Sequence, residues 1–129
     1  MIVVDVNVIA YLLLSGPHTE AVEKLRKVDS DWVSLPLWRY EFLNVLWAHV
    51  RTQRVDLPVA EQILALAFTR LAIVEREASP HDVLELAVQT GLTAYDSQYV
   101  ALALTLGLPL YTFDKTILRL CPETAQQPV

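Results

Sequence analysis

Four carboxylates in this chain sit where carboxylates could act together. Asp5 closes the apolar run Ile2-Val3-Val4, Asp114 follows Leu110-Tyr111-Thr112-Phe113, and Asp96 stands at the head of a segment that leads toward that second run. In open α/β sheets, ligands bind beyond the carboxyl ends of the strands, so these three acids could converge on one edge. Each also has a structural reading, because aspartate is a favoured N-cap and a helix follows each of them. Glu41 is different. It lies among Leu37, Trp38 and Val45 on the apolar stripe of a long helix, read as mid-helix, where a carboxylate must pair, protonate or bind a cation. Arg39 and Arg51 are pairing candidates, but an inward helix acid together with three strand-end acids is more economically a metal site. Hard divalent cations take oxygen donors, and magnesium keeps several waters and needs few direct carboxylates.

Other chemistries find less support. His18, His49 and His81 form no pair at metal-ligand spacing, and three glycines are too few for a phosphate loop or dinucleotide fingerprint. Ser34, Ser79 and Ser97 lack a nucleophile elbow. The single cysteine, Cys121, has no disulfide or zinc partner and reads as core. A formal charge of −5 points either away from nucleic acid, whose binders gain most of their affinity by neutralising phosphates, or to acids concentrated at a metal site, and composition does not choose between them. A cation at the acids reverses the local sign where a phosphate would sit. Lys115 and Arg119 beside Asp114, and Arg39 beside Glu41, are available for flanking phosphates; as solvated surface charges they need no such role.

The elements that must position these acids alternate. Ile2–Val4, Trp32–Leu35, Ala72–Val74 and Leu108–Thr112 read as strands. Asn7–Leu14, Thr19–Val28, Pro36 to about Arg54, Pro58–Leu71, Pro80–Thr90, about Asp96 to Leu106, and Lys115–Leu120 read as helices. Ser79-Pro80-His81-Asp82 carries a helix start, with serine as cap, and Gly91 and Gly107 carry stops. The pattern predicts one α/β domain over residues 1–125, a central parallel sheet flanked by helices on both faces, with 126–129 as a tail. No apolar run approaches the roughly 20 residues a bilayer requires, and the opening residues look like a strand rather than a leader, so a cytoplasmic protein is expected. Val8–Leu14 and the Trp38/Phe42/Trp47 helix look too apolar for a monomer's surface, which predicts a homodimer.

Ala94-Tyr95-Asp96-Ser97-Gln98-Tyr99-Val100-Ala101-Leu102-Ala103 with Leu110-Tyr111-Thr112-Phe113-Asp114 resembles the C-terminal signature of PIN-domain nucleases, nearest to VapC-type toxins of bacterial toxin–antitoxin pairs. Val3-Val4-Asp5-Val6-Asn7-Val8 resembles their first motif, and Pro36 through Glu41 to Val45 their glutamate helix. The resemblance implies a three-layer PIN-like domain and a magnesium- or manganese-dependent endoribonuclease whose catalytic, metal-binding residues are Asp5, Glu41, Asp96 and Asp114. It implies support from Asn7 and Thr112, an RNA substrate, an antitoxin that blocks the acidic pocket, and dimerisation. Ser97 stands where the family often has alanine. A phosphoacceptor receiver domain is the rival from another class; it wants paired acids after the first strand and an aspartate after the middle one, where this chain has Val6 and Ile73-Val74-Glu75. A PIN nuclease of RNA processing rather than a toxin is a third reading.

Overall fold

The short apolar run that opens the chain becomes the middle of the sheet. In the computed structural model, which describes residues 1–129, β1 is Ile2–Val4, β2 Trp32–Ser34, β3 Val74–Glu75, β4 Leu110–Tyr111 and β5 Ala125–Gln126. The strands lie in the order β3-β2-β1-β4-β5 and every neighbouring pair is parallel. Seven helices connect them: α1 (Val6–Leu13), α2 (Thr19–Val28), α3 (Trp38–Arg51), α4 (Leu57–Arg70), α5 (Pro80–Thr90), α6 (Ala94–Leu106) and α7 (Lys115–Leu120).

Parallel strands covered on both faces read as unbroken apolar runs, and side chains alternate between the faces. β1 does both: Ile2 and Val4 enter a core with Ile9, Trp38 and Phe42, while Val3 enters the opposite core with Val100, Leu102 and Leu110. Helix α6 buries Tyr99 through Ala103 without a break, as a helix enclosed on most sides must. The expected parallel sheet between helices is therefore what forms. Its strand order also disposes of the receiver rival, because flavodoxin-like folds run 2-1-3-4-5, whereas here β3 pairs with β2 and β4 with β1.

Several local expectations need correction. Ala125–Gln126 forms a fifth strand beside β4, although Gln126 reads as tail in the sequence. The third strand is Val74–Glu75, shifted toward its carboxyl end from Ala72–Val74, because Ala72 takes a positive φ of 52° and cannot extend. Ser79 precedes α5 but makes no capping hydrogen bond. The stretches expected on the surface are core: Val8, Ile9, Ala10, Leu14, Trp38 and Phe42 are all buried, and of that set only Trp47 is largely exposed, at 56%. Helix α1 is covered on nearly all sides and α3 on one face only, and apolar content alone does not reveal which faces are covered. No helix is long and apolar enough to cross a membrane.

Candidate active site

The sheet reverses its direction of progress between β1 and β4, and the crevice beyond their carboxyl ends is where such sheets bind ligands. Asp5 is the residue after β1. Thr112 is the residue after β4, and Asp114 follows two positions later. Glu41 occupies the first turn of α3 rather than its middle, because Pro36 and Leu37 form a turn ahead of the helix. Asp96 occupies the first turn of α6. All four acids thus stand at helix N-termini, where the backbone dipole favours negative charge.

The cap reading survives for two of them and fails for one. Asp5 accepts a hydrogen bond from the Val8 amide at 3.2 Å and Asp114 accepts one from Ile117 at 2.9 Å, so each caps its helix. Asp96 does not cap α6: that role belongs to Thr93, whose hydroxyl accepts from the Asp96 amide at 3.1 Å. The Asp96 carboxylate is left with no intrahelical duty.

Neutral donors orient the acids. The Thr112 hydroxyl donates to Asp5 Oδ2 at 2.5 Å and itself accepts from the Asp114 amide at 3.0 Å. The Tyr99 hydroxyl donates to Glu41 Oε1. Cations are missing: the ion pairs of the chain are Met1–Asp29, Lys24–Glu20, Arg39–Glu75 and His81–Glu85, and none includes the four acids. Arg39, a candidate partner of Glu41 or of phosphate, is bound instead to Glu75 at 2.6 Å.

Buried carboxylates without cations resist ionisation. Burial pushes Asp5 up to about 6; the Thr112 and Val8 hydrogen bonds oppose the rise, and Glu41 and Asp114 add to it. Burial likewise raises Glu41, against the Tyr99 hydrogen bond and with the help of Asp96. Asp96 is raised by burial and by Asp114, with its hydrogen bond to Thr93 opposing. The repulsions close a ring, Asp5 to Glu41 to Asp96 to Asp114 and back. Tyr99 is held protonated by burial first and then by Glu41, which keeps it a donor.

Four mutually repelling oxygen donors, with no sulfur or imidazole among them, suit a hard divalent cation. The side chains do not close on one point by themselves, since no group of three acid, histidine or cysteine side chains is spaced to hold an ion unaided. A cation that keeps part of its water shell fits this set better than one that sheds it. Sequence reasoning found the four acids and Thr112. It missed Tyr99 as the donor to Glu41, although Tyr99 lies one helical turn from Asp96 on α6, a spacing that places both on one face. Asn7, the other expected supporter, is exposed on α1 and makes no side-chain hydrogen bond to the acids.

Comparison with known proteins bears on the fold that carries these acids. The PIN domain pattern matches residues 2–121. The chain is 31% identical to Ribonuclease VapC3 of Pyrobaculum aerophilum over 119 residues, covering 90% of this chain and 91% of that protein. It is 37% identical to Exonuclease VapC9 of the same organism over 84 residues, 65% of this chain and 62% of that one. Among solved structures, PAE2754 from Pyrobaculum aerophilum superposes with a TM-score of 0.76 at 30% identity, covering 97% of this chain and 87% of its own. VapBC2 from Rickettsia felis, bound to a DNA fragment from its promoter, gives a TM-score of 0.70 at 15% identity and 98% coverage of both chains, a likeness of fold.

Proposed function

Because the chain belongs to the PIN-domain family, we propose that it is a divalent-metal-dependent endoribonuclease and the toxin of a VapBC-type pair. The observation that carries this reading is the ring of four uncompensated carboxylates at the switch point of the sheet. Asp5, Glu41, Asp96 and Asp114 would hold magnesium or manganese. A bound ion of this kind makes hydroxide available near neutral pH and offsets charge on a phosphate.

The chain's own residues prepare the site. Thr112 fixes one oxygen of Asp5, and the Val8 amide fixes the other, so this acid cannot rotate. Tyr99 fixes Glu41. Capping by Thr93 leaves the Asp96 oxygens free to face the crevice. The four helix N-termini help the acids stay ionised where four like charges would otherwise drive protonation.

The names of the two curated relatives differ in kind, ribonuclease for one and exonuclease for the other. Closed circular RNA separates the alternatives. The purified chain with magnesium or manganese is expected to open the circle and to lose that activity in chelator or as Asp96→Asn. Cleavage of linear RNA alone would make it an exonuclease, and no cleavage of either would remove the reading. Growth arrest on expression without a partner, relieved by the same variant, tests the toxin role and separates it from RNA processing.

An antitoxin and a homodimer belong to the same proposal, on surfaces other than the stretches first expected. One exposed apolar face surrounds a groove between α3 and α4, with Leu43, Trp47 and Leu57. Another carries Leu84 and Val88 on α5 and Leu104 on α6. Light scattering of the chain alone at micromolar concentrations reads the dimer, and a clean monomer removes it. That the chain forms a single domain, which β5 carries past 125 to Gln126, is likewise a proposal, tested by whether it melts in one cooperative transition.

A further inference from the structure

A second polar pocket opens along the groove between α1 and α3, and nothing in the proposed chemistry uses it. It measures about 220 Å³ and is lined by Asn7 and Tyr11 of α1, the Ser15-Gly16-Pro17 loop, and Val45, His49 and Arg54 on the α3 side. None of its lining residues is acidic, in a chain of 15 acids and 10 basic residues.

The turn after α3 builds its cationic wall. Gln53 takes a positive φ of 61°, which ends the helix and folds the chain back so that the Arg54 amide donates to the His49 carbonyl at 2.9 Å. Arg54 is exposed and takes part in no ion pair. His49 Nδ1 lies 2.9 Å from the Val45 carbonyl, which can only accept, so Nδ1 carries the proton and Nε2 is the free nitrogen.

The opposite wall is aromatic. Tyr11 meets His18 and Phe113 edge-on at 5.2 and 5.5 Å, and Phe113 stands between Thr112 and Asp114. The loop can lie against Tyr11 because residue 16 is glycine: a Cβ there would come within 2.9 Å of the ring. The pocket shares a face of α3 with one of the acids. Glu41, Val45 and His49 follow one face of α3, and eight residues at the helical rise of ~1.5 Å put His49 about 12 Å along the axis from Glu41.

We propose that this pocket is a subsite for a flanking nucleotide of single-stranded RNA, its phosphate on Arg54, a ribose hydroxyl donating to His49 Nε2, and its base against Tyr11. The inference rests on the nuclease reading for the direction of the strand, from the acids down the α1/α3 groove. It adds a cationic contact on the α1/α3 side of the acids, where Arg39 is committed to Glu75; Lys115 and Arg119 lie on the other side, beside Asp114.

The test is fluorescence anisotropy of a labelled single-stranded RNA oligonucleotide, in chelator and over a range of KCl, with the full-length parent, Arg54→Gln, His49→Gln and Arg70→Gln. Arg70 ends α4, the end of a crossover that leads into a strand's amino edge, away from the crevice. Arg54→Gln is expected to raise Kd about fivefold, as loss of one exposed charged contact does, and to lower the slope of log K against log salt by about 0.7. His49→Gln is expected to weaken binding less without a matching slope change, and Arg70→Gln to do neither. A labelled DNA strand of the same sequence shows whether the subsite prefers the ribose. Unchanged Kd and slope for Arg54→Gln overturn the proposal. So does a variant that binds RNA normally but releases a protein antitoxin, because the pocket then belongs to the partner. Absence of RNA cleavage by the parent would remove the nuclease reading, while the anisotropy would still decide the subsite.

Discussion

Asp5 and Glu75 both sit at the carboxyl edge of the same sheet, and their surroundings are opposites. Glu75, at the end of the edge strand β3, receives the Arg39 guanidinium at 2.6 Å and the Trp38 indole N–H at 3.0 Å, while Arg39 also lies 4.7 Å over the Phe68 ring. Asp5, beside the central strand, receives only an amide and a hydroxyl and has two acids for neighbours. The Glu75 cluster is complete as it stands. The Asp5 cluster is oriented but not neutralised, and that is the observation on which the proposed cation site rests.

Activity gives the widest expected separation between the two. Asp5→Asn is expected to reduce RNA cleavage by more than the ~10- to 100-fold typical of losing an outer-shell partner. Glu75→Gln is expected to leave cleavage within about twofold of the parent, the ordinary range for a residue remote from chemistry. Rates on one RNA at equal protein concentration check both, and comparable losses would erase the distinction.

Stability is expected to reverse the order. An acid whose folded pKa is raised binds more protons folded than unfolded, so its contribution falls as pH rises through the window between the two values. For Asp5 that window runs from 3.8 to about 6. At about 1.4 kcal/mol per unit, the ionised side chain then costs the metal-free protein roughly 3 kcal/mol at pH 7. In chelator, Asp5→Asn should match the parent near pH 4 and exceed it increasingly toward pH 7. Glu75→Ala should be less stable than the parent by about 1–2 kcal/mol, since Trp38 loses its acceptor. Denaturant melts at several pH values decide it; a gap for Asp5→Asn that does not widen between pH 4 and 6 would contradict the assigned shift.

Cation addition sharpens the contrast further. At ten times its Kd, magnesium or manganese is expected to stabilise the parent by about 1.4 kcal/mol, to stabilise Glu75→Gln equally, and to stabilise Asp5→Asn less. Equal melting shifts in all three would place the ion elsewhere.

The smallest effect concerns Ser97, whose buried hydroxyl has no hydrogen-bond partner. Ser97→Ala is expected to gain up to ~1 kcal/mol by removing an unsatisfied group, with cleavage unchanged. A loss of stability on calorimetry would show that the hydroxyl has a role the folded chain does not display.

The acids were legible because strand ends and helix starts are written locally. Apolar runs end abruptly at Asp5 and Thr112, and the order of the motifs follows the chain. Partners across the fold were not: Tyr99 reaches Glu41 over 58 positions, and nothing near either residue announces it. Capping was half legible, since aspartate before a helix predicts a cap at Asp5 and Asp114 but cannot show that Thr93 takes the task from Asp96. Surface and core were confused in α1 and α3, where the apolar positions outnumber one face. The last strand is two residues long and carries Gln126, so no periodicity could mark it.

That last strand has a consequence for synthesis. The Thr112 amide donates to the Gln126 carbonyl at 3.1 Å, and the Thr112 hydroxyl in turn orients Asp5. The first motif of the chain is therefore aligned through a strand that comes far later in the chain. Because a growing chain emerges amino end first, a nascent copy would carry all four acids before it could aim them. Under the proposed function, a ribosome would meet the aligned site only once position 126 had left the exit tunnel.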